Sequence, residues 1–250
     1  MGVTSDGRPS RRTIDARPAG LNAGAAVFHL TDVIRVYREA DVETIALRGV
    51  DLTIDRGAFV AVMGRSGSGK STLLNLLAGS DRPTAGRVLF LGQDLATVDD
   101  AARAAIRGRQ IGIVYQSQNL APMLTLLENV RLAAWLAGRP VDEAGARSAL
   151  DRVGLADRAG HRPAQLSGGE QQRGALSCVL AARPTVLLAD EITGELDSAS
   201  ADVVLRLLRD IHLSEGTTVV LVTHDRAVAD LADRIVELRD GRVVADGTTG

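Results

Sequence analysis

The sequence predicts an α/β fold in which a mostly parallel sheet surrounds a phosphate loop, with an antiparallel β subdomain before it and a helical insert after it. Three observations support this. A glycine-rich loop lies between an apolar strand and a helix, later apolar runs end in polar residues, and the segment before the loop alternates apolar and polar residues. The 250 residues, 45% hydrophobic and 24% charged, suffice for one domain with a sizeable core.

Composition divides the chain into three parts. Residues 1–26 are rich in Gly, Ala, Pro, Ser and Arg without a periodic apolar pattern, and we predict a flexible tail there. Residues 27–246 are predicted to form the folded domain, whose helical insert covers about residues 120–165. Residues 247–250 are predicted to be a short tail. The β-branched, alternating residues 27–54 predict antiparallel strands that lead into the loop.

The central motif fits the pattern G-x-x-x-x-G-K-[ST], between a strand at 59–63 and a helix at 72–78. It consists of Gly64, Arg65, Ser66, Gly67, Ser68, Gly69, Lys70 and Ser71, followed by Thr72. Backbone N–H groups and the helix N-terminus would hold phosphates, Lys70 would reach the β/γ-phosphates, and Ser71 would hold Mg²⁺. Lys70 is the only lysine in the chain, which indicates a site that requires a compact ammonium group.

The later segments alternate between strand and helix patterns. They predict strands at 87–92, 111–115, 186–191, 218–222, 234–238 and 243–245, two or three helices over 126–155, and helices at 170–182 and 198–213. The runs at 186–191 and 218–222 are continuously apolar, as is typical of parallel strands buried on both faces.

Polar residues end two of these buried strands. Asp190 is expected to hold Mg²⁺ through water beside Ser71, and Glu191 to orient and deprotonate the water that attacks the γ-phosphate. His224 ends the next strand, where its imidazole could hold the γ-phosphate. Taken alone, the Asp-Glu pair is equally compatible with a solvated strand end, and a lone histidine is more often structural. The loop by itself leaves kinases, GTPases and ATPases open.

Charge and hydropathy exclude some functions. The net charge of -2 gives no argument for a nucleic-acid partner or an anionic membrane surface. The single cysteine, Cys178, excludes an internal disulfide, and its apolar setting predicts a buried, unreactive thiol. No apolar run approaches the roughly 18 to 20 residues that span a bilayer, so we expect another chain to supply any membrane spans.

The ordered set of motifs resembles the ATP-binding-cassette (ABC) ATPases over roughly residues 27–246. The set comprises Tyr37, the loop at 64–71, Gln116, the run 166–173, the strand 186–191, Leu196-Asp197 and His224. The Leu-Ser-Gly-Gly signature at 166–169 is the specific element, since other phosphate-loop NTPase families lack it. The resemblance implies a phosphate-loop NTPase core, here the ABC nucleotide-binding domain, with ATP and Mg²⁺ as cofactors.

The resemblance also implies roles that the residues alone do not show. Tyr37 resembles the adenine-stacking aromatic residue, and Gln116 the glutamine that contacts Mg²⁺ and the lytic water. Ser167, Gly168 and Gly169 resemble the signature that closes over the γ-phosphate held by a partner subunit, and a helix N-terminus suits an anion. Asp197 would lie at the dimer seam. Two identical chains would therefore enclose two ATP molecules.

Within the family, three segments look most like the lipoprotein-releasing, macrolide-efflux and cell-division ATPases. These segments are residues 64–79, 125–130 and 189–198. The chain departs from that subgroup at Ile192, where proline is usual, at Glu195, where asparagine is usual, and at Ser177-Cys178, where Ala-Arg is usual. These departures bear on the hydrolysis rate, but none removes a residue assigned to ATP or Mg²⁺.

The resemblance implies a cytoplasmic ATP-hydrolysing subunit, peripheral on the inner face of the cell membrane, that drives a separately encoded integral-membrane permease. The helical insert and four apolar residues after Gln116 are expected to contact that permease; they are Leu120, Pro122, Met123 and Leu124. A mechanical or signalling ATPase, as in cell division, is the alternative. A cassette protein of translation or DNA repair is disfavoured, because those usually carry two cassettes or long coiled coils. No nucleic-acid partner is expected.

Overall fold

The computed structural model describes residues 26–39 and 42–249. The strands are β1 (Ala26–Glu39), β2 (Val42–Asp55), β3 (Phe59–Met63), β4 (Ala85–Phe90), β5 (Gln93–Asp94), β6 (Ile111–Val114), β7 (Val186–Asp190), β8 (Thr218–Thr223), β9 (Arg234–Arg239) and β10 (Arg242–Thr248). The helices are α1 (Lys70–Leu77), α2 (Asp100–Gln110), α3 (Leu126–Leu136), α4 (Glu143–Arg152), α5 (Gly168–Ala182), α6 (Ser198–Glu215) and α7 (Arg226–Ala229). Apart from Ala26, the predicted tail at residues 1–26 lies outside the described residues.

The larger sheet has the strand order β10-β9-β3-β8-β7-β6 and is parallel except for β10. Its central strands are buried on both faces, as their continuous apolar runs predict. In β3, Val60 and Val62 face a core shared with α1 and the smaller sheet, whereas Phe59 and Ala61 face a core shared with α3 to α6. The parallel sheet therefore separates two hydrophobic cores.

The smaller sheet, of order β2-β1-β4-β5, is antiparallel, which confirms the prediction for residues 27–54. It packs its Phe28–Phe90 pair, with ring centroids 5.1 Å apart, into the first of these cores. It also reaches the phosphate loop, because a Cβ atom at Gly69 would lie 2.5 Å from the carbonyl oxygen of Ala46 in β2. Only glycine permits this close approach.

The helical insert contains two α-helices, α3 and α4, both of which pack on α5. Thr125 caps α3 in a capping box, in which its backbone N–H donates to Glu128 Oε2 at 2.7 Å and its hydroxyl accepts from the Glu128 N–H. Asp142 caps α4 by accepting from the N–H of Gly145 at 2.8 Å. Among the described residues, no helix combines the length and the apolar character needed to cross a membrane.

One prediction at the edge of the domain is wrong. The tail predicted at 247–250 is part of β10 as far as Thr248, because Gly247 and Thr248 pair with Ile235 and Arg234 in β9. The backbone of Thr249 donates to Asp233 O at 3.1 Å, which continues the pairing. Residue 250 lies outside the described residues.

Leu120, predicted to be an exposed contact residue, is buried with 8% exposure. Its side chain packs toward Gly174 of α5, where a Cβ atom would lie 3.3 Å from Leu120 Cδ1. Pro122 and Met123 are exposed, Met123 by 74%, and Leu124 is half-buried. The apolar surface after Gln116 is therefore smaller than the sequence suggests.

Candidate nucleotide-binding site

The phosphate loop lies between β3 and α1, as predicted. Gly67 and Gly69 adopt positive φ values of 78° and 102°, which favour glycine. Gly64 is required for a different reason, because a Cβ atom there would collide with the carbonyl oxygen of Leu238 and with Ser68 Oγ. The loop backbone is therefore folded tightly at the N-terminus of α1, an arrangement that suits an anion.

Lys70 is buried in this loop. Its Nζ donates to the carbonyl oxygens of Gly64 at 2.8 Å and Arg65 at 3.0 Å, and it lies 4.0 Å from Glu191 Oε1. The ammonium group is held by the loop and directed toward the carboxylate at the end of β7. A phosphate that enters the loop would offer this ammonium stronger, charged acceptors than the two carbonyls.

Two hydroxyl groups of the motif have different environments. Ser68 Oγ is buried and has no hydrogen-bond partner among the described residues, so the loop contains an unsatisfied polar atom beside its phosphate-binding backbone. Ser71 is exposed in the first turn of α1. The described residues contain no cluster of three or more His, Cys, Asp or Glu side chains suited to a metal ion. A hydroxyl and one carboxylate fit Mg²⁺ bound together with phosphate oxygens and water.

The structure brings the three predicted residues at the strand ends together. Glu191 Oε1 lies 3.2 Å from His224 Nδ1, and the Glu191 backbone donates to Val222 O at 3.0 Å across β7 and β8. Burial raises the pKa of the Asp190 carboxyl, the charge of Glu191 raises it further, and Lys70 partly opposes the shift. The site therefore combines a cation, two carboxylates and an imidazole.

A cavity of about 700 Å³ opens over this group. Its lining consists of Met63, Gly64, Arg65, Ser66, Glu191, His224, Arg226, Ile235 and Glu237. The last three residues of this set were not predicted from the sequence. Arg226 begins α7, and Ile235 and Glu237 lie in β9; none belongs to a motif, so only the fold places them at the site.

Gln116 follows β6 and contacts the loop that follows Glu191. Its Nε2 donates to Glu195 Oε1 at 3.4 Å, and a Cβ atom on Gly194 would lie 3.1 Å from the same nitrogen. The described lining of the cavity does not include Gln116. The carboxylate of Glu195, at a position where the related subgroup usually has asparagine, therefore provides a charged acceptor for this glutamine.

Gln172, on α5, is a functional candidate to which the sequence analysis gave no role of its own. Its buried Nε2 donates to the carbonyl oxygens of Tyr115 at 2.7 Å and Ile192 at 3.1 Å, and its Oε1 accepts from Asn119 Nδ2 at 2.7 Å. One side chain therefore connects the helix after the signature, the segment at Gln116 and the loop after Glu191. The only sequence feature that could have marked Gln172 as functional is its polar side chain at a mostly buried position of the helix.

The signature residues form the N-terminus of α5. Ser167 caps the helix: its Oγ accepts from the Glu170 N–H at 3.2 Å, and its own N–H donates to Glu170 Oε2 at 2.8 Å. Because the hydroxyl oxygen acts as the acceptor, its hydrogen can still be donated to an anion. A Cβ atom at Gly169 would lie 2.9 Å from Ser200 Cβ, so the N-termini of α5 and α6 are in close contact.

Asp197 caps α6 and lies beside the signature. Its carboxylate accepts from the Ser200 N–H at 2.9 Å and from Ser200 Oγ at 2.7 Å. These hydrogen bonds lower the pKa of Asp197, the backbone bond most strongly. Asp197 and the signature residues are not in the described lining of the cavity. Among the described residues, no hydrogen bond or ion pair joins the signature to the phosphate loop within one chain.

Tyr37 lies near the end of β1 and is also outside that lining. Its hydroxyl donates to Asp81 Oδ2 at 2.8 Å, and the guanidinium carbon of Arg35 lies 4.4 Å from the centroid of its ring. The ring is half-buried, so part of it remains accessible.

Fold and site together define a nucleotide-binding ATPase domain with a signature helix. The sequence profile described as "ABC transporter" matches residues 47–194, more than half of the chain, and the chain therefore belongs to the ABC transporter family as one of its ATPase domains. Membership of this family also indicates that the chain binds ATP.

Similarity to individual proteins shows which ABC ATPases the chain resembles in sequence. The chain is 50% identical over 221 residues to the lipoprotein-releasing system ATP-binding protein LolD of Anaeromyxobacter dehalogenans, covering 87% of this chain and 92% of LolD. It is 46% identical over 228 residues to the macrolide export ATP-binding/permease protein MacB of Brucella melitensis, covering 90% of this chain. The chain spans about a third of the length of such MacB proteins, 35% in this case.

Among solved structures, the chain is similar to the ATP-binding cassette MJ0796 in a dimeric post-hydrolysis state bound to ADP and Pi. The TM-score is 0.83 and the identity 39%, covering 89% of this chain and 99% of the other. These relatives agree with the subgroup that the sequence motifs predict.

Proposed function

We propose that this chain is the ATP-hydrolysing subunit of an ABC transporter-type complex, which dimerises around two ATP molecules and drives a separately encoded membrane permease. The observation that carries the proposal is that, among the described residues of one chain, no hydrogen bond, ion pair or shared cavity lining joins the phosphate loop to the signature. Each pocket would then be complete only when Ser167, Gly168 and Gly169 of a second copy cover the nucleotide. The likeness to the dimeric cassette MJ0796 supports this arrangement.

Nucleotide binding would begin at the loop. The backbone of residues 64–72 and Lys70 Nζ would hold the phosphates, and Ser71 Oγ together with Asp190, through water, would hold Mg²⁺. When bound, Mg²⁺ supplies charge neutralisation for the β- and γ-phosphates. Tyr37 would stack on the adenine, and Asp197 would lie at the seam between the copies.

Hydrolysis would use the group at the strand ends. Glu191 Oε1 would orient and deprotonate the attacking water, and His224, 3.2 Å from that oxygen, would contact the γ-phosphate. Gln116 would need to leave Glu195 before it contacts Mg²⁺ and the lytic water. Such a movement would connect occupancy of the pocket to the segment that precedes the helical insert.

Coupling to a membrane partner is proposed for the exposed apolar surface of the insert. Met123, Trp135 and Leu136 are 74%, 64% and 57% exposed, and the last two lie on α3. Single exposed apolar residues are common, but this group suits a protein contact. The likeness to LolD, an ATP-binding protein of a lipoprotein-releasing system, supports a role as the ATPase subunit of a larger complex. The chain would act in the cytoplasm, peripheral on the inner face of the cell membrane.

The variant Glu191→Gln tests the proposal. It keeps the shape and the nucleotide contacts but removes the base, so ATP turnover should fall by about two to four orders of magnitude. The variant should also elute as a dimer when ATP is present. Glu143→Gln, an exposed change on α4, is the control and should turn over ATP normally. Undiminished turnover by Glu191→Gln would contradict the assignment.

Capture of the membrane partner tests the proposed coupling to a permease. The chain should be recovered with an integral-membrane protein, and vesicles that contain both should move substrate when ATP is supplied. Vesicles that hydrolyse ATP without moving any substrate would support the mechanical or signalling alternative.

A further inference from the structure

Tyr37 is fixed by two neighbouring side chains. Asp81 Oδ2 accepts from the Tyr37 hydroxyl at 2.8 Å and from Arg35 Nε at 2.8 Å, so one carboxylate oxygen joins the other two residues. The Arg35 guanidinium also lies over the Tyr37 ring, 4.4 Å from its centroid. Arg35 and Asp81 expose only 23% and 21% of their side chains, so the group is partly shielded from solvent.

Asp81 is itself held in place at the far end of α1. Its Oδ1 accepts from the Arg82 N–H at 2.7 Å, and its own N–H donates to Asn75 O at 3.3 Å in the last turns of the helix. Since α1 begins at Lys70, the helix that starts at the phosphate loop ends next to the carboxylate that fixes Tyr37.

The turn after α1 is also joined to β1 on both sides of Arg35. The Thr84 N–H donates to Ile34 O at 2.8 Å, and the Val36 N–H donates to Thr84 Oγ1 at 3.0 Å. These bonds set the position of β1 relative to Asp81. Rotation of Tyr37 would break its bond to Asp81 and its contact with Arg35.

Tyr37 is also close enough to the phosphate loop to act on the same ligand. It pairs in register with Thr44 of β2, two residues before Ala46, whose carbonyl oxygen touches the loop at Gly69. At about 3.4 Å per residue and about 4.8 Å between strands, Tyr37 lies about 10 Å from the loop. The base and the terminal phosphate of a nucleotide lie a similar distance apart.

We infer that Arg35 and Asp81 are positioning residues for the nucleotide base: they hold the Tyr37 ring in one orientation, with one face covered by Arg35 and the other left for adenine. This inference rests on the proposed role of Tyr37. A fixed ring loses little conformational freedom when a base stacks on it, so binding is stronger than to a free ring. The effect is confined to the base and leaves the phosphate contacts unchanged.

The test compares ADP with inorganic pyrophosphate, since pyrophosphate lacks the base and neither ligand is hydrolysed by the mechanism above. Dissociation constants are measured by calorimetry on the full chain and on the variants Tyr37→Phe, Asp81→Asn, Arg35→Met and Tyr37→Ala. Tyr37→Phe keeps the ring and removes only the hydroxyl donor. Pyrophosphate binding reports whether each variant is folded with an intact loop.

We expect Tyr37→Phe and Asp81→Asn each to weaken ADP binding about three- to tenfold, with pyrophosphate binding unchanged. The double variant Tyr37→Phe/Asp81→Asn should bind ADP no more weakly than Asp81→Asn alone, because the hydrogen bond between Tyr37 and Asp81 is already lost in that single variant. Arg35→Met should weaken ADP binding in the same direction. Tyr37→Ala should weaken it by at least about tenfold through the loss of stacking.

Each contrary result has a distinct meaning. Normal ADP binding by Tyr37→Phe and Asp81→Asn, or additive losses in the double variant, would overturn the inference while a weakened Tyr37→Ala preserved the role of the ring. Normal ADP binding by Tyr37→Ala would reject the role of Tyr37 itself. Tighter binding by Arg35→Met would show that Arg35 covers the face that the base needs. Equal losses of ADP and pyrophosphate would show a general structural effect, which also overturns the inference.

Discussion

Glu191 is held in an uncommon backbone conformation. Its φ of 46° lies in the left-handed region, which costs a residue with a side chain roughly 1–2 kcal/mol. Two hydrogen bonds maintain it: its N–H donates to Val222 O at 3.0 Å and its carbonyl accepts from the Gly194 N–H at 2.9 Å. The turn directs the side chain toward His224 and Lys70. The free energy cost is therefore located at the residue proposed as the base.

The titration of Asp190 should affect cation binding and stability in opposite directions. Because its pKa is raised above the usual 3.8, protonation on acidification begins at a higher pH than for an ordinary aspartate. The protonated form binds Mg²⁺ poorly, so the Mg²⁺-dependent part of ATP affinity should decrease as the pH is lowered. The ligand-free domain should gain stability over the same range, since the folded state binds the proton more tightly than the unfolded chain does.

Asp190→Asn tests both effects. At neutral pH it should lower the Mg²⁺-dependent gain in ATP affinity about 10- to 100-fold, and it should raise the melting temperature of the ligand-free domain. Titration of ATP itself affects both proteins equally, so the difference between their pH profiles reports on Asp190. Identical profiles for the wild type and the variant would contradict this account.

Cys178, which the sequence predicts to be buried, is partly exposed. The surrounding side chains still desolvate its thiol and raise its pKa to about 12, so the group stays protonated at neutral pH and is a poor nucleophile. Its neighbour Ser177 is fully buried, and its hydroxyl donates to Gly174 O at 2.6 Å. The Ser177-Cys178 departure from the related subgroup therefore lies against the hydrophobic core, away from the cavity lining.

At the scale of single elements, α5 connects the proposed dimer surface with the interior. Ser167 caps its first turn, and one turn later Gln172 donates to the carbonyl oxygens of Tyr115 and Ile192. A change in the position of this helix would therefore reach Gln116 and Ile192 through one buried amide.

The variant Gln172→Leu should show how much these hydrogen bonds contribute to stability and to ATP turnover. The change removes the side-chain donor of the Ile192 carbonyl oxygen and leaves the Tyr115 carbonyl with Asn119 Nδ2 alone. We expect a loss of about 2–3 kcal/mol in the free energy of unfolding. ATP turnover should fall as well, because both loops lose their common contact. Denaturant unfolding and steady-state hydrolysis measure the two effects. Arg206→Leu, an exposed change on α6, is the control.

A Gln172→Leu variant within about 0.5 kcal/mol of the wild type and with normal turnover would show that the loops are held by their other contacts. A variant that is destabilised but hydrolyses ATP normally at low temperature would restrict the role of Gln172 to stability.

The elements that the sequence predicts well are those with local, strong patterns. The strand at 59–63 and the buried runs that became β7 and β8 follow directly from continuous apolar sequence. The sequence analysis missed α2, because only Ile106 in that helix is buried, although Asp99 caps it by accepting from the Ala102 N–H at 2.7 Å. The end of β10 was missed because its side chains are mostly exposed and its order depends on backbone pairing.

The candidate site divides in the same way. The loop and the Asp190-Glu191 pair are predictable because each is a short local pattern, and His224 because it directly follows a buried strand. The contacts of Gln116 with Glu195, and of Tyr37 with Asp81, join residues 79 and 44 positions apart, and no local pattern reports them. Distances of this kind follow only from the packing of the two sheets and the helices between them.

At the scale of the whole molecule, a composite site allows a complementation test. Lys70→Met should abolish hydrolysis by removing the phosphate contact, and Ser167→Arg should do so by blocking the signature surface. A mixture of the two chains should recover activity, because in a mixed dimer one pocket has both an intact loop and an intact signature.

Random mixing makes about half of the dimers mixed, with one good pocket of two, so the recovery should reach about a quarter of wild-type activity if the pockets act independently. The specific activity of the wild-type chain should also rise with protein concentration. Absence of any recovery in the mixture, together with concentration-independent turnover, would show that a single chain contains the complete site.

The parallel sheet has a consequence for how the domain unfolds. Adjacent residues of β3, such as Ala61 and Val62, belong to opposite cores, and the neighbouring strands β7 and β8 are shared in the same way. Loss of either core would expose one face of the same strands. The two halves should therefore not melt separately but unfold as a single cooperative unit, in which the strand ends that carry Asp190, Glu191 and His224 stay ordered until the whole domain is lost.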